Sequence, residues 1–289
     1  MKARLLTAAV GIPFALVLLI ASAYFPAVLY VTIFVLCMIG IYEALKAFGA
    51  NKTPVLYAPC FIYGAVVILS PFLGNTVSSM SIIAAASLIY LFVMFAILLK
   101  KHAELRLETL CTAMILTIFV AFPFMSIELI FNNMLKNADG TPSYANGIAL
   151  VIYCLILSWV ADGGAYFVGR AFGKHKLAPV ISPKKTIEGS VGGFVIAMII
   201  SLAAAYIYAD VLNYVEGELN TVNVVIISAV CILMSMFGDL SFSAVKRQYN
   251  VKDFGNLLPG HGGVLDRFDS VLFVCPTFYL LSFVLPLVK

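Results

Sequence analysis

Two stretches of this chain, Ile82 to Leu99 and Val191 to Ala209, contain no charged residue and are apolar on every side. They lack the period-two alternation of a barrel strand with one wet face. Each is about 20 residues long, the length of a helix that crosses ~30 Å of hydrocarbon. Other runs of similar length are predominantly apolar, some with one or two charged residues, and the set is nine in all: 5–24, 26–48, 56–73, 79–99, 110–131, 146–168, 189–209, 222–241 and 269–288. Pro59, Gly64 and Pro71 interrupt the third. Only 11% of the 289 residues are charged, against about 25% in a soluble domain. The chain lacks the polar surface to cover a water-soluble globule. In lipid every backbone N–H and C=O must be paired within the protein, which leaves helices or a closed barrel. The expected fold is therefore all-α: a polytopic membrane protein of about nine transmembrane helices.

Basic residues in short loops mark the cytosolic side. With the N-terminus inside, sixteen of the eighteen lysines and arginines fall on that side, and only Lys136 and Lys289 fall outside. A miscount of spans before Arg170 would scramble this partition. The expected topology thus has a cytosolic N-terminus and an external C-terminus. Ala21-Ser22-Ala23 resembles a signal cleavage site, but an uncleaved first helix is the favoured reading. The six cysteines fall one per span without metal-ligand spacing and are expected to be small buried hydrophobes. The three histidines are scattered, so no zinc site is expected. A net charge of +4 suits anionic headgroups or phosphorylated substrates. The absence of a soluble basic domain argues against nucleic acid as a partner.

The halves differ. Residues 1–145, with helices one to five, read as membrane scaffold. Glu43, Glu104 and Glu108 sit beside basic residues and are expected to be solvated at loops or helix ends. Glu128 is expected near the outer interface, with no assigned role. Residues 146–289, with helices six to nine, carry two cytosolic loops near 169–188 and 242–268. Acids within or beside a span usually face a polar cavity and serve a function. Asp162, Asp239, Asp266 and Asp269 are expected to share one cavity at the cytosolic face. Carboxylates brought together repel unless protonated or bridged by cations. Lys246, Arg247, Lys252 and Arg267 supply part of the compensation, and a hard divalent ion suits the rest. Mg²⁺ favours one or two carboxylates plus water and substrate phosphates. This ligand set, with lysines alongside, suggests phosphoryl or nucleotidyl chemistry.

Ser182-Pro183-Lys184-Lys185-Thr186 reads as a helix start, with serine as N-cap and proline at the first position, where an anion would be welcome. Gly189, Gly192 and Gly193 then permit either close helix packing or close approach of a substrate. The run from Gly255 to Gly263, with His261, offers a glycine-rich loop able to turn amides towards an anion. It lacks the Gly-Lys-Ser/Thr of a Walker A loop.

From Ser243 to Asp269 the chain reads Ser243, Lys246-Arg247, Lys252-Asp253, Phe254-Gly255, then Leu258-Pro259-Gly260-His261-Gly262-Gly263-Val264-Leu265-Asp266-Arg267-Phe268-Asp269. This resembles the signature of the phosphatidate cytidylyltransferases, the CDP-diacylglycerol synthases. The upstream block resembles the same family at Asp162-Gly163-Gly164-Ala165-Tyr166, Gly169-Arg170, Gly173-Lys174, Ser182 to Thr186 and Glu188-Gly189. The first 145 residues resemble it only in hydropathy. The resemblance implies that CTP and phosphatidic acid give CDP-diacylglycerol and pyrophosphate, with dependence on Mg²⁺ and room for a second cation. It assigns the metal to Asp239 and Asp266, with Asp269 as a third member. Lys246, Arg247, Lys252 and Arg267 would neutralise phosphates. Asp162, Ser182, Lys184, Lys185 and Thr186 would bind the CTP phosphates or the headgroup, and His261, Gly262 and Gly263 would shape the nucleotide pocket. The length resembles bacterial members, which implies a bacterial inner membrane. Partners are then CTP, phosphatidic acid and membrane lipid, with a homodimer left open. The alternatives are a CTP-dependent lipid-alcohol kinase, a cytidylyltransferase for another lipid and, from a different class, an anionic-solute transporter.

Overall fold

A computed structural model describes residues 2–50, 53–73, 76–133, 143–211, 219–257 and 262–287. The helices are α1 (Lys2–Tyr24), α2 (Pro26–Ala47), α3 (Tyr57–Leu69), α4 (Thr76–Lys100), α5 (Leu107–Asn133), α6 (Tyr144–Phe172), α7 (Ile187–Tyr206), α8 (Thr221–Gln248), α9 (Leu265–Phe268) and α10 (Val271–Val284). A two-stranded antiparallel hairpin, β1 (Lys176–Ala178) and β2 (Ser182–Thr186), lies between α6 and α7. Among the described residues, seven helical segments are long and apolar enough to cross a membrane. Two shorter apolar helices, Pro13–Tyr24 and Val271–Val284, accompany them. Each expected apolar run falls on a helical segment, so the chain is a polytopic helical membrane protein. On α4, Leu88, Ile89, Phe92 and Leu99 are each more than half exposed. Such a contiguous apolar surface is stable only against lipid.

Helix ends depart from expectation where charges begin. The eighth run was expected to stop at 241, but α8 continues to Gln248 and carries Lys246 and Arg247 on the helix rather than in a loop. Lys246 lies two turns beyond Asp239, on the same face. The helix start expected at Ser182 is also absent. Ser182 to Thr186 is a strand, because Lys176 pairs with Thr186 and Ala178 with Ser182. Proline suits such an edge strand, and it drives the preceding residue towards extended backbone. The N-cap of α7 is Thr186, whose Oγ1 accepts the Gly189 amide at 3.1 Å. Glu188 closes the base of the hairpin by accepting from the backbone amides of Lys174 at 3.0 Å and His175 at 3.2 Å.

The chain packs as two compact units. The first comprises Met1–Leu18, Ala27–Met125 and Tyr249–Arg267. The second comprises Leu19–Pro26, Ser126–Gln248 and Phe268–Lys289. This partition follows contacts and cuts across the sequential division at 145. In the first unit, Tyr63 of α3 stacks on Tyr90 of α4 with ring centroids 4.5 Å apart. Phe48, just past α2, packs edge-on against Tyr249 and Phe254. A Cβ on Gly40 would come within 3.2 Å of both Val120 and Leu265, so α2 lies close to α5 and to the start of α9.

In the second unit, α6 and α7 meet along a seam of small residues. A Cβ on Gly164 would lie 3.1 Å from the Gly193 Cα, and one on Gly193 would lie 2.7 Å from the Ala165 nitrogen. The glycines after β2 therefore serve close helix packing, one of the two roles expected for them. Tyr153 on α6 and Ser228 on α8 share a buried hydrogen bond of 2.7 Å. Cys37, Cys60, Cys154, Cys231 and Cys275 are buried as expected, whereas Cys111 is exposed on α5. The apolar exterior of that helix tolerates a small thiol as readily as the core does.

Candidate active site

The charged side chains of the second unit gather into acid–lysine pairs. Asp239 on α8 is ion-paired with Lys185 of β2, both side chains about three-quarters buried. The Ser243 hydroxyl, one turn on, lies 3.4 Å from Asp239 Oδ1. Asp269, in the turn between α9 and α10, has Oδ2 3.9 Å from Lys246 Nζ, and both side chains are almost wholly buried. Its Oδ1 accepts the Ser270 amide at 2.9 Å. The Ser270 hydroxyl in turn donates to Asp162 Oδ2 on α6 at 2.7 Å. Burial first, then the negative charge of Asp239, hold the Asp269 carboxyl above its ordinary range; Lys246 opposes the rise and Asp162 adds to it. Close approach of α8 makes this possible, since a Cβ on Gly238 would lie 2.9 Å from the Asp269 carbonyl. Arg247 Nε donates to the Ile181 carbonyl at 3.3 Å, so it fastens the hairpin turn to the end of α8.

Of the four acids expected to converge, Asp269 thus feels the charge of both Asp239 and Asp162 within this unit. The lysines facing them come from β2 and from α8. Ser270 was missed by the sequence reading. Its only signal was its position directly after Asp269. Lys184 is exposed on the hairpin, and the buried Thr186 hydroxyl is engaged as the α7 cap. Ser182 is partly exposed.

In the first unit, Asp266 lies in the one-turn α9 and its Oδ2 accepts the amides of Phe254 at 2.8 Å and Gly263 at 3.0 Å. Gly262 has φ +82°, a conformation that a side chain would strain. The carboxyl of Asp266 therefore ties Phe254 to Gly263. Lys252, Asp253 and Arg267 are exposed. His261 lies outside the described residues.

Glu43, expected to be solvated, is 4% exposed. It lies on α2 and its Oε2 accepts the Leu265 amide at 3.0 Å, 222 positions away in sequence. A cavity of about 520 Å³ opens beside it, lined by Tyr42, Glu43, Lys46, Asp253 and Asn256 among others. Glu104 is exposed and pairs with Lys101 at 3.0 Å, as expected. Glu128, expected at the interface, is instead fully buried in α5, and neither carboxyl oxygen has a hydrogen-bond partner among the described residues.

Among the described residues, no three His, Cys, Asp or Glu side chains stand close enough to hold an ion unaided. This excludes an all-protein cage from them. It fits an ion such as Mg²⁺, which takes one or two carboxylates and completes its octahedron with water and substrate phosphate. In the second unit, Asp239 and Asp269 are the carboxylates that could serve such an ion.

A model of the cytidylyltransferase family matches residues 2–285, and the chain belongs to that family. It is 31% identical over 287 residues to a phosphatidate cytidylyltransferase of Staphylococcus aureus (strain COL), covering 97% of this chain and 98% of that protein. The enzyme of the same name from Staphylococcus haemolyticus is 29% identical over 285 residues, covering 97% of this chain and 98% of that protein. A third, from Haemophilus influenzae, is 47% identical over 141 residues, covering 48% of each chain.

Proposed function

We propose that this chain transfers the cytidylyl group of CTP to phosphatidic acid, forming CDP-diacylglycerol and pyrophosphate at the cytosolic face of a bacterial inner membrane. Nucleotidyl transfer of this kind follows from membership of the cytidylyltransferase family and from relatives named phosphatidate cytidylyltransferase along nearly the whole chain. The observation that carries the site assignment is the pairing of Asp239 with Lys185 and of Asp269 with Lys246 in one buried cluster.

One substrate lies in the leaflet and the other in water, so a site at headgroup level reaches both. An oxygen of the phosphatidate phosphate attacks the α-phosphorus of CTP. The new P–O bond forms in line with the breaking bond to the β-phosphate oxygen, and pyrophosphate leaves with that electron pair. The nucleophile is already anionic, so positioning and charge neutralisation outweigh base catalysis. Lys185 and Lys246 are held near the reaction by their aspartates and exchange part of that pairing for the incoming phosphates. The family signature assigns the metal to Asp239 and Asp266, with Asp269 as a third member; of these, Asp239 and Asp269 would hold Mg²⁺ within the second unit. The ion supplies neutralisation of the charge on the phosphates. Asp162 keeps the Ser270 turn in register and so orients Asp269. Arg247 holds the hairpin against α8 and so keeps Lys185 within reach of Asp239.

The test is turnover by purified protein in mixed micelles with labelled CTP and phosphatidic acid, with and without Mg²⁺. CDP-lipid plus pyrophosphate, formed only with the ion, is the expected result. CDP plus a lipid phosphate would identify a kinase instead. Solute uptake into liposomes without CTP turnover would identify a transporter.

A further inference from the structure

Glu43 reads in sequence as an ordinary residue of the N-terminal scaffold, at the end of a span and one turn before Lys46. Its surroundings show otherwise. The carboxyl is buried, and it accepts from the backbone amide of Leu265 at 3.0 Å, with the Val264 amide as a second partner. Two glycines of the signature loop exist without side chains because of it. A Cβ on Gly255 or on Gly263 would collide with the Glu43 carboxyl oxygens. Neither of these glycines has a positive φ, so space rather than backbone conformation excludes a methyl group there. Glu43 thus threads between the two sides of the loop and grips the chain immediately before Asp266. Asp266 in turn holds the Phe254 and Gly263 amides. Together the two carboxyls accept the amides of Phe254, Gly263, Val264 and Leu265. Charge-assisted bonds to backbone amides are among the strongest that a protein makes.

We infer that Glu43 is a positioning residue for the transfer reaction: from α2 it sets Gly255 and the segment 262–265 and thereby fixes the direction in which Asp266 points. The inference rests on the reading that Asp266 serves the reaction. A misplacement of about 1 Å in a reacting constellation lowers turnover by roughly 10²-fold.

The test compares Glu43→Gln, Glu43→Ala, Gly255→Ala and Asp266→Asn in the full-length protein, purified in detergent. Two quantities are read: steady-state turnover of CTP and phosphatidic acid, and the rate of trypsin cleavage after the exposed Lys252 without substrate or metal. Glu43→Gln should lower kcat by roughly 10- to 100-fold. KM for CTP should stay within about twofold, as expected for an interaction that acts on the transition state. The same variant should speed cleavage after Lys252 while the thermal midpoint of the whole protein stays close to that of the parent. Gly255→Ala leaves Glu43 in place but pushes its carboxyl aside, and should reproduce both effects even if Glu43→Ala fails to fold. Parental kcat and parental cleavage in Glu43→Gln and Gly255→Ala, alongside a slow Asp266→Asn, would overturn the inference alone. Parental turnover by Asp266→Asn would instead remove the premise about Asp266.

Discussion

The two compact units use their buried acids in opposite ways. In the first, Glu43 and Asp266 spend their oxygens on backbone amides and shape a loop. In the second, Asp239 and Asp269 face lysine side chains, and Asp162 faces a serine hydroxyl. A carboxyl bound to amides is fixed in place, because its partners belong to the main chain. A carboxyl paired with a lysine can trade that partner for a cation while the lysine moves to a phosphate. The contrast separates acids held by the main chain from acids whose side-chain partners can move.

The sharpest way to break this contrast is Asp239→Ala. Turnover should fall by roughly 10²- to 10³-fold or more, while trypsin cleavage after Lys252 stays parental. A loosened loop in this variant would erase the distinction. Lys185→Ala should come next. Its loss removes a cation worth roughly 10- to 100-fold in a charge-assisted contact, and the effect should appear chiefly as a raised KM for CTP in steady-state assays. Unchanged kinetics would return Lys185 to a purely structural partner of Asp239.

Smaller effects concern stability alone. Thr186→Ala removes the cap of α7 and should lower stability by about 1 kcal/mol, read as a fall in the thermal midpoint in detergent. Glu128→Met replaces a buried carboxyl that has no hydrogen-bond partner among the described residues. It should raise stability by about 1 kcal/mol with turnover unchanged. A loss of turnover there would show that α5 carries chemistry as well as packing.

The helical architecture was legible in the sequence because lipid leaves an uncharged 20-residue run a single solution. The acids of the second unit were legible too. Asp162 and Asp239 interrupt apolar spans, and Asp269 abuts one, where a charge needs a reason. Glu43 was not legible. It also interrupts a span, but Lys46 one turn away offered a plausible partner, and its true partner is a main-chain amide 222 positions distant. Local chemistry cannot announce an amide. The segment from Ser182 to Thr186 failed for a related reason. Ser-Pro followed by lysines satisfies every rule for opening a helix. Pairing with Lys176–Ala178 outweighs those rules and moves the cap four residues on, to Thr186.

The glycine seam between α6 and α7 has one more consequence. Because the two backbones touch at Gly164 and Gly193, their separation is set by main-chain atoms and has no slack. The hairpin that joins the end of α6 to the start of α7 is therefore hung from a frame of fixed gauge, which helps place Lys185 beside Asp239. A bulky residue in the seam would act as a wedge, spreading the frame and drawing the ammonium group away from its aspartate without altering either one.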